Sequence, residues 1–516
     1  MTSPDIFTPY STLRSMFPAS RPTWIPDDLD QQRIMSYQLY EQIYWNVPDT
    51  FKLTWRGTED KPIYIPTSKV IINTTARFVA PKLTATVEPI AGGAANSAAI
   101  VQAQQFWIDF LTREEFASRF TGNKLYGLIR GDWLWHVTAD PMKAPGTKIS
   151  LRSLDPGMYF PIYDPDDVDR ILGIHIVDQF IPPSERDVVI KRTSYRKPGT
   201  EGNPSDQWVS SEIALFETDD WGGPKSKPKK VIRPPMELPG ITSLPVYHVK
   251  NFDEPQNPFG SSELRGIERL AAAVNQAISD EELSLALDGL GVYATDADPP
   301  VNEDGTPSNW ILGPGRVVEH QVGRKFARIG GVGSVTPYMD HLAFLIKAMK
   351  EASQTPDVAI GNVEVSVAQS GIALAIQFSP MLAKAGEKNE IIFNKHNQLW
   401  YDLATQWFPV YEKTRFDGMR VVSTIDDAIP VDRQARRDEL NDMLDRHVIS
   451  RKYYRQEMTK LGYVFDETSM QQDIEDEEAA LAIAADPFTN RLVAETDNAD
   501  SGGTEQEVDD NGSETS

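Results

Sequence analysis

The stretch TPYMDHLAFLIKAMKEASQTPDVAIGNVEVSVAQSGIALAIQFSPMLAKAGEKNEIIFNKHNQLWYDLATQW, residues 336–407, reads as a helix, an interruption and a longer helix. Pro337 suits a first helical turn, and Tyr338, Leu342, Leu345 and Met349 recur at helical spacing to give one apolar face. Thr355-Pro356 ends that helix, because a proline drives the preceding residue out of the α region and has no N–H to donate. The segment from Asp357 to Gly371 is too polar and glycine-marked for a helix and too long for a tight turn, and it carries valines at alternate positions. Beyond Gly371 the helical period returns through Ala375, Phe378, Leu382, Ala385, Ile392, Leu399 and Leu403. That helix has about 35 residues and spans roughly 50 Å, with a kink expected at Pro380.

A long, apolar-marked loop between two helices is more often functional than idle. A helix ending in Thr355-Pro356-Asp357, then a loop, then Ser370-Gly-Ile-Ala-Leu374 opening a long helix resembles the tunnel-loop region of tailed-bacteriophage portal proteins, the head-to-tail connectors of the siphophage-type portal family.

Composition bounds what else the chain can be. Its 516 residues suit two to four domains, and 40% apolar residues support a sizeable core. No run of eighteen apolar residues marks a membrane span, and the start, Met1-Thr-Ser-Pro-Asp5, lacks the basic-then-apolar pattern of a secretion signal. The lack of cysteine excludes disulfides and cysteine–metal sites and fits a reducing cytoplasm. A net charge of −24 argues against a general nucleic-acid-binding surface. Between Asp466 and Ser516 lie sixteen acids and one base, Arg491, which reads as a solvated tail.

Along the chain, Asp27 or Asp28 caps a helix to about Trp45, with Met35, Leu39 and Ile43 on one face and Tyr37, Tyr40 and Tyr44 beside it. Ile63-Tyr-Ile65 reads as a short strand, Thr67 or Ser68 caps a helix from Val70 to Ala80, and Asn96 to Phe116 is a third helix. Over 121–215 the period drops to two: Gly131 to Val137, Lys148 to Arg152, Ile171 to Phe180 and Trp208 to Phe216 predict strands of an antiparallel sheet, with turns at Asp155-Pro-Gly157 and Asp164 to Asp167. The acids Asp164, Asp166, Asp167 and Asp169 fit a charged hairpin turn or a calcium site, although the spacing of a calcium loop is missing. Gly222 to Pro235 reads as a Pro/Lys linker, either a flexible surface loop or a basic patch. Pro245 to Lys250 is a strand. Ser261 or Ser262 then caps a helix with Glu263 in its first turn and Leu264, Ile267, Ala271, Val274 and Ile278 as its stripe. Residues 290–335 show short strands and tight turns, including Val292-Tyr293, Trp310 to Leu312, Arg316 to Val318 and Phe326 to Ile329. Arg420 to Thr424 is a strand, and Arg433 to His447 and Ser450 to Lys460 are helices.

This order of elements resembles the portal fold over most of the chain, above all over 125–180 and 245–405. The resemblance implies an α+β fold: an extended arm (1–26), a wing of helices and antiparallel sheet (27–260), a first stem helix (261–289), a small β-rich clip (290–335), a second stem helix (336–355), a tunnel loop (356–371), a long wing helix with a return strand (372–425), a helical crown (426–485) and an acidic, disordered tail (486–516). It implies a homo-oligomeric ring, typically of twelve subunits, at the portal vertex of the virion capsid. The ring would be the channel for packaging and ejecting double-stranded DNA and the dock for the large terminase subunit and the head–tail adaptor. It would sit among major capsid and scaffolding proteins and assemble in the host cytoplasm, with no membrane and no cofactor.

The channel candidates are Val358, Ile360, Val363, Glu364, Val365 and Val367 of the loop, with Lys347 and Lys350 on the preceding helix as the nearest positive charges. The valines either collar the duplex or pack against the subunit's own helices. In the clip, Arg316, Arg324, Lys325 and Arg328 form a basic cluster on an acidic chain, a candidate partner contact. The helix at 28–45 and the stem helices carry more apolar surface than one copy should leave bare, which suggests ring contacts. No phosphate loop, His-Glu-x-x-His zinc motif or Gly-x-Ser-x-Gly elbow occurs, and His396 reads as a satisfied core or interface histidine rather than a ligand. The reading is therefore of a non-enzyme. A minor head or adaptor component, and a nucleic-acid-processing enzyme, are the alternatives.

Overall fold

In the computed structural model, which describes residues 28–54, 62–90, 97–164, 166–181, 187–218, 225, 227–255, 257–290, 292–310, 322–329, 336–361, 371–426, 433–446, 448–449 and 451–460, helices combine with antiparallel sheets in an α+β fold. The chain divides into two compact units, residues 1–429 and 430–516. The proposed arm (1–26) and acidic tail (486–516) lie outside the described residues.

Helices α1 (Asp28–Tyr44) and α2 (Thr67–Phe78) lead to strand β1 (Leu83–Pro89) and to helices α3 (Ser97–Arg113) and α4 (Phe116–Arg130). A three-stranded sheet, ordered β3-β2-β9, joins β2 (Asp132–Ala139), β3 (Ile149–Leu154) and β9 (Val246–Lys250). A five-stranded meander holds β4 (Tyr159–Asp164), β5 (Asp167–Phe180), β6 (Val189–Arg196), β7 (Ser210–Glu217) and β8 (Lys230–Glu237) in sequence order. Then follow α5 (Glu268–Leu290), β10 (Val292–Thr295), β11 (Phe326–Ile329), α6 (Thr336–Ala352), α7 (Gly371–Asp402) and β12 (Met419–Ile425). Pro380 lies inside α7, and the helix continues with wider π-type winding over Leu403–Glu412. In the second unit, α8 (Arg433–Asp445) and α9 (Arg451–Lys460) bury Leu440 and Met458, and Tyr454 Oη donates to Asn441 Oδ1 at 2.7 Å.

Several elements depart from the sequence expectation, each for a local reason. The third helix does not reach Phe116. Glu115 takes φ +50, and the chain turns into α4. The buried line of α4 runs Phe116, Phe120, Lys124, Leu128, and the lysine hides its apolar period. Lys124 Nζ donates to Ala80 O at 3.0 Å, and burial pushes its pKa down to about 8. In α1 the core face is the tyrosine side: Tyr37, Tyr40, Ile43 and Tyr44 are buried while Met35 is exposed. The tyrosine surface expected to make ring contacts there is thus consumed inside the subunit, while Trp45 stays exposed. Residues 62–66 are extended but form no strand. Side chains of α5 bind their backbone instead: Ser279 Oγ accepts from Ile63 N at 3.0 Å, and Asn275 Oδ1 accepts from Ile65 N at 2.8 Å. Pro66, not Thr67 or Ser68, precedes α2, and no side chain caps it.

The Pro/Lys linker contains a strand. β8 carries Pro234 and Pro235, yet it pairs with β7 as the outer strand of the meander, where a missing N–H is tolerated. β1 and β6 also escape the period-two reading. β1 pairs with β12, and the Gln104 side chain takes the place of a third strand: its Oε1 accepts from Val87 N at 2.6 Å and its Nε2 donates to Ala85 O at 3.3 Å. The acids near 164 sit at the β4–β5 hairpin, where Asp164 is opposite Asp167 and pairs with Arg170 at 3.0 Å.

The main core lies where α3, α4, α7 and β2 meet. Trp107 packs edge-on against Trp400 and Phe408, and Phe116 against Trp400. His396 stands among Phe116, Phe120, Trp133 and Trp400, fully enclosed. Trp135 Nε1 donates to its Nε2 at 3.0 Å, so Nδ1 carries the proton and donates to Ile392 O at 2.7 Å. Both ring nitrogens are satisfied in the neutral form, and burial pushes the pKa down to about 4.

The unfolded chain therefore binds a proton at this histidine between about pH 6.5 and 4 that the folded chain does not. We predict that stability falls as pH drops through this window, by about 1.4 kcal/mol per pH unit for each such histidine. Denaturant titrations of His396→Gln against the parent chain should show a shallower slope between pH 6.5 and 4.5; an unchanged slope would contradict the assignment.

Candidate functional site

The two helices on either side of the β10–β11 pair form the candidate site's frame. β10 follows α5 directly, β11 precedes α6, and the strands pair antiparallel with Val292 opposite Ile329. The end of α5 thus lies at the start of β10 and α6 departs from the end of β11, so the helices run in opposite directions and pack together. α5 starts at Glu268 rather than at Ser261 or Ser262, because Gly266 takes φ +91 and breaks the helical path. Ser262 caps a turn instead, its Oγ accepting from Leu264 N at 3.0 Å and donating to Ile129 O at 2.5 Å.

That early break turns Glu263 inward, where it is no helix-terminus charge but the centre of a buried ion triad. Its Oε1 lies 2.7 Å from Lys384 Nζ and its Oε2 2.9 Å from Lys388 Nζ, both on α7. Glu263, Lys384 and Lys388 are 7%, 5% and 2% exposed. Lys384 Nζ also donates to Ser353 O at 2.6 Å, just past α6, and to Thr75 Oγ1 on α2 at 3.2 Å. Lys388 Nζ donates to Asn251 Oδ1 at 2.7 Å and sits 3.4 Å from the centre of the Phe252 ring. Burial raises the proton affinity of Glu263, but Lys388 and Lys384 outweigh it and hold the carboxyl below its ordinary range. Burial pushes Lys388 down to about 8.

The triad fixes the base of the candidate channel segment. Past α6, Asp357–Ile360 forms one helical turn, closed by Gly361 at φ +101, where the start of an apolar-marked loop was expected. Val358 and Ile360 are half-buried. Val363, Glu364, Val365 and Val367 lie outside the described residues. Lys350 Nζ contacts Asp357 Oδ1 at 2.5 Å, so much of its charge is spent within the subunit. Lys347 is exposed, with only a 3.8 Å contact to Glu351. In the segment expected to be a clip (290–335), Arg324 and Lys325 are exposed, and the Lys325 backbone N–H donates to the Asp296 carboxylate. Arg328 occupies β11 opposite Tyr293, and Arg316 and the segments around it lie outside the described residues. The structure thus groups Lys350 with Asp357 and leaves Arg324 and Lys325 adjacent on the β10–β11 module. Apolar side chains stand bare on the same helices: Met339 is 59%, Phe344 64% and Ile376 68% exposed. No described helix is long and apolar enough to cross a membrane.

Glu263, Lys384 and Lys388 escape a reading by apolar period, which treats charged residues as solvent-facing. A signal was present: the two lysines are one turn apart on the line of Met381, Ala385 and Ile392, all buried.

No protein-family profile matches the chain, and no curated protein matches it in sequence. Among solved structures it is similar to a chain in the virion of a native gene transfer agent particle, with 14% identity over 88% of this chain and 99% of that one and a TM-score of 0.43. It is similar to a chain in the neck of an empty gene transfer agent particle computed with C6 symmetry (13% identity, 86% and 96% of the two chains, TM-score 0.43). A third is in the neck of a native particle computed with C12 symmetry (15% identity, 88% and 98%, TM-score 0.40).

Removing one member of a buried ion network leaves an uncompensated charge. We predict that Glu263→Gln lowers the unfolding free energy by about 3–5 kcal/mol. The triple change Glu263→Gln, Lys384→Met, Lys388→Met should recover part of that loss. Chemical denaturation of the parent and both variants checks the order of stability, and a neutral Glu263→Gln would refute the triad's role.

Proposed function

We propose that this chain is a portal-type virion subunit, which forms a closed homo-oligomeric ring around a channel for double-stranded DNA at the head–tail junction. The observation that carries the reading is the path of residues 268–402: an antiparallel helix pair bearing a small β module between its ends, then a short turn and connection into a long helix pinned by a buried ion triad. A rigid hairpin of this kind, repeated around an axis, presents one helix face inward and the β module outward. Exposed Met339, Phe344 and Ile376 are apolar contacts that a neighbouring copy would cover. A closed ring would be reached by a head-to-tail contact whose rotation closes on itself.

The mechanism in this reading is physical, with no bond made or broken. The chain has 75 acids against 51 bases, so a channel built from it does not hold the phosphate backbone by extensive ion pairing. Of the two stem lysines, Lys347 is the one free to face a phosphate, because Lys350 is engaged by Asp357. The segment 356–371 would touch the duplex by shape through Val358, Ile360, Val363, Val365 and Val367, with Glu364 and Asp357 adding no attraction. The clip cations Arg316, Arg324, Lys325 and Arg328 would meet acidic surfaces of the packaging motor and adaptor, by charge complementarity.

Two experiments test the reading. Negative-stain microscopy and light scattering of the purified chain at micromolar concentration should show annular oligomers, and Met339→Asp with Phe344→Asp should yield folded monomers. Only monomer from the parent chain would overturn the proposal. Deleting residues 363–368 should leave ring assembly intact while DNA packaging or retention fails; normal packaging by that variant would remove the loop from the mechanism.

A further inference from the structure

A cavity of about 350 Å³ lies between the three-stranded sheet, the five-stranded meander and the end of the α7 helical path. Its charge is opposite in sign to that of the chain. Three cations line it, Arg152 on β3, Lys191 on β6 and Arg233 on β8, against one acid, Asp178, which faces Lys191 across the β5–β6 pair. None of the three cations forms an ion pair among the described residues, and Arg233 makes only a 3.5 Å contact with Ser211 Oγ. The nearby carboxylate of Glu212 is taken by Arg192 at 2.9 Å. Hydroxyl donors complete the wall: Ser211, almost wholly buried, and Tyr195, whose Oη lies 3.1 Å from His136 Nε2. His136 also lines the cavity. Burial, and then Arg152 and Lys191, push its pKa down to about 4, so the ring stays neutral and adds no charge of its own.

We propose that this cavity is a binding site for a phosphate-type oxyanion, held by Arg152, Lys191 and Arg233 with hydroxyl donation from Ser211 and Tyr195. Guanidinium forks match the oxygen edges of phosphate, and three cations lining one cavity, two of them exposed arginines, suit a tetrahedral anion of more than one charge better than a single carboxylate. The volume admits inorganic phosphate or a small phosphate ester and lies at the low end of small-ligand sites. The ring of Tyr411, stacked at 5.7 Å on the buried Trp407, forms part of the wall and gives an aromatic ester a surface that free phosphate does not use. The site does not depend on ring formation or on the channel.

Calorimetric titration of the full chain with inorganic phosphate and, separately, with adenosine 5′-monophosphate tests this. Saturable binding of one ligand per chain is expected at constant ionic strength. Arg152→Gln, Lys191→Gln and Arg233→Gln should each weaken it about fivefold or more, while Lys197→Gln, outside the cavity, leaves it unchanged. Similar affinity for the two probes identifies free phosphate as the ligand; a nucleotide preference of about tenfold identifies a ring-bearing ester on the Trp407–Tyr411 wall. Circular dichroism confirms folding of each variant, and the single changes at strand surfaces keep the test open if the triple variant is unstable. Absence of saturable heat at millimolar probe, binding abolished by chloride of equal ionic strength, or parent-like binding by a folded triple variant would each overturn the site.

Discussion

A single carboxylate held between two ammonium groups, away from water, constrains more of this molecule than any apolar contact. Glu263, Lys384 and Lys388 draw together the segment before α5, the end of α6, helix α2 and the middle of α7. An ion network in such a place contributes less to net stability than to choice of structure, because the desolvation cost is recovered only in one geometry. A slip of α7 by one turn would leave three charges buried without partners. Leucines at the same positions would tolerate such a slip far better.

A second polar centre restrains the other end of the same loop. Asp132 accepts from Tyr37 Oη at 2.5 Å and from Gly260 N at 2.7 Å, and its Oδ1 lies 2.6 Å from His248 Nε2. Arg33 covers the Phe259 ring at 4.1 Å and donates to Pro156 O and Tyr159 O. Gly260 must be glycine here, since a Cβ would fall 2.2 Å from Gly131 O. Residues 251–263 are thus gripped by charge on one side and by backbone contact on the other. Helices α5 and α6 leave this loop with little freedom at their root.

Helix α6 and its end were legible because its apolar residues repeat at 3.6 and its break falls at proline. Leu345 and Met349 are buried as the stripe required, and α6 ends before Thr355-Pro356. The failures share a cause. Lys124, Lys384 and Lys388 occupy core positions where the period demands apolar residues, and Asn275 and Ser279 give α5 a buried polar face that binds an extended segment. Pairing energies that come from other elements leave no pattern in the segment itself. β8, with two prolines, reads as linker until β7 is there to receive it. Of the two candidate lysines, Lys350 pairs with Asp357 across the turn at 2.5 Å and Lys347 lies 3.8 Å from Glu351 on its own helix, a difference that spacing alone does not show.

The β1–β12 pair carries a consequence for synthesis. Thr84 and Thr424 are hydrogen-bonded neighbours 340 residues apart in the chain. At ordinary elongation speeds of about 5–20 residues per second, β1 leaves the ribosome roughly 17–68 s before its partner exists. Through that interval its apolar side chains Leu83, Ala85 and Val87 belong to an unfinished core, and a bare strand edge invites pairing with another nascent chain. Gln104 on α3 follows within seconds and occupies one edge of β1 by itself. An early side-chain clasp on a late-closing ladder acts as a placeholder, and it shields half of the strand during the time when a polysome crowds identical chains together.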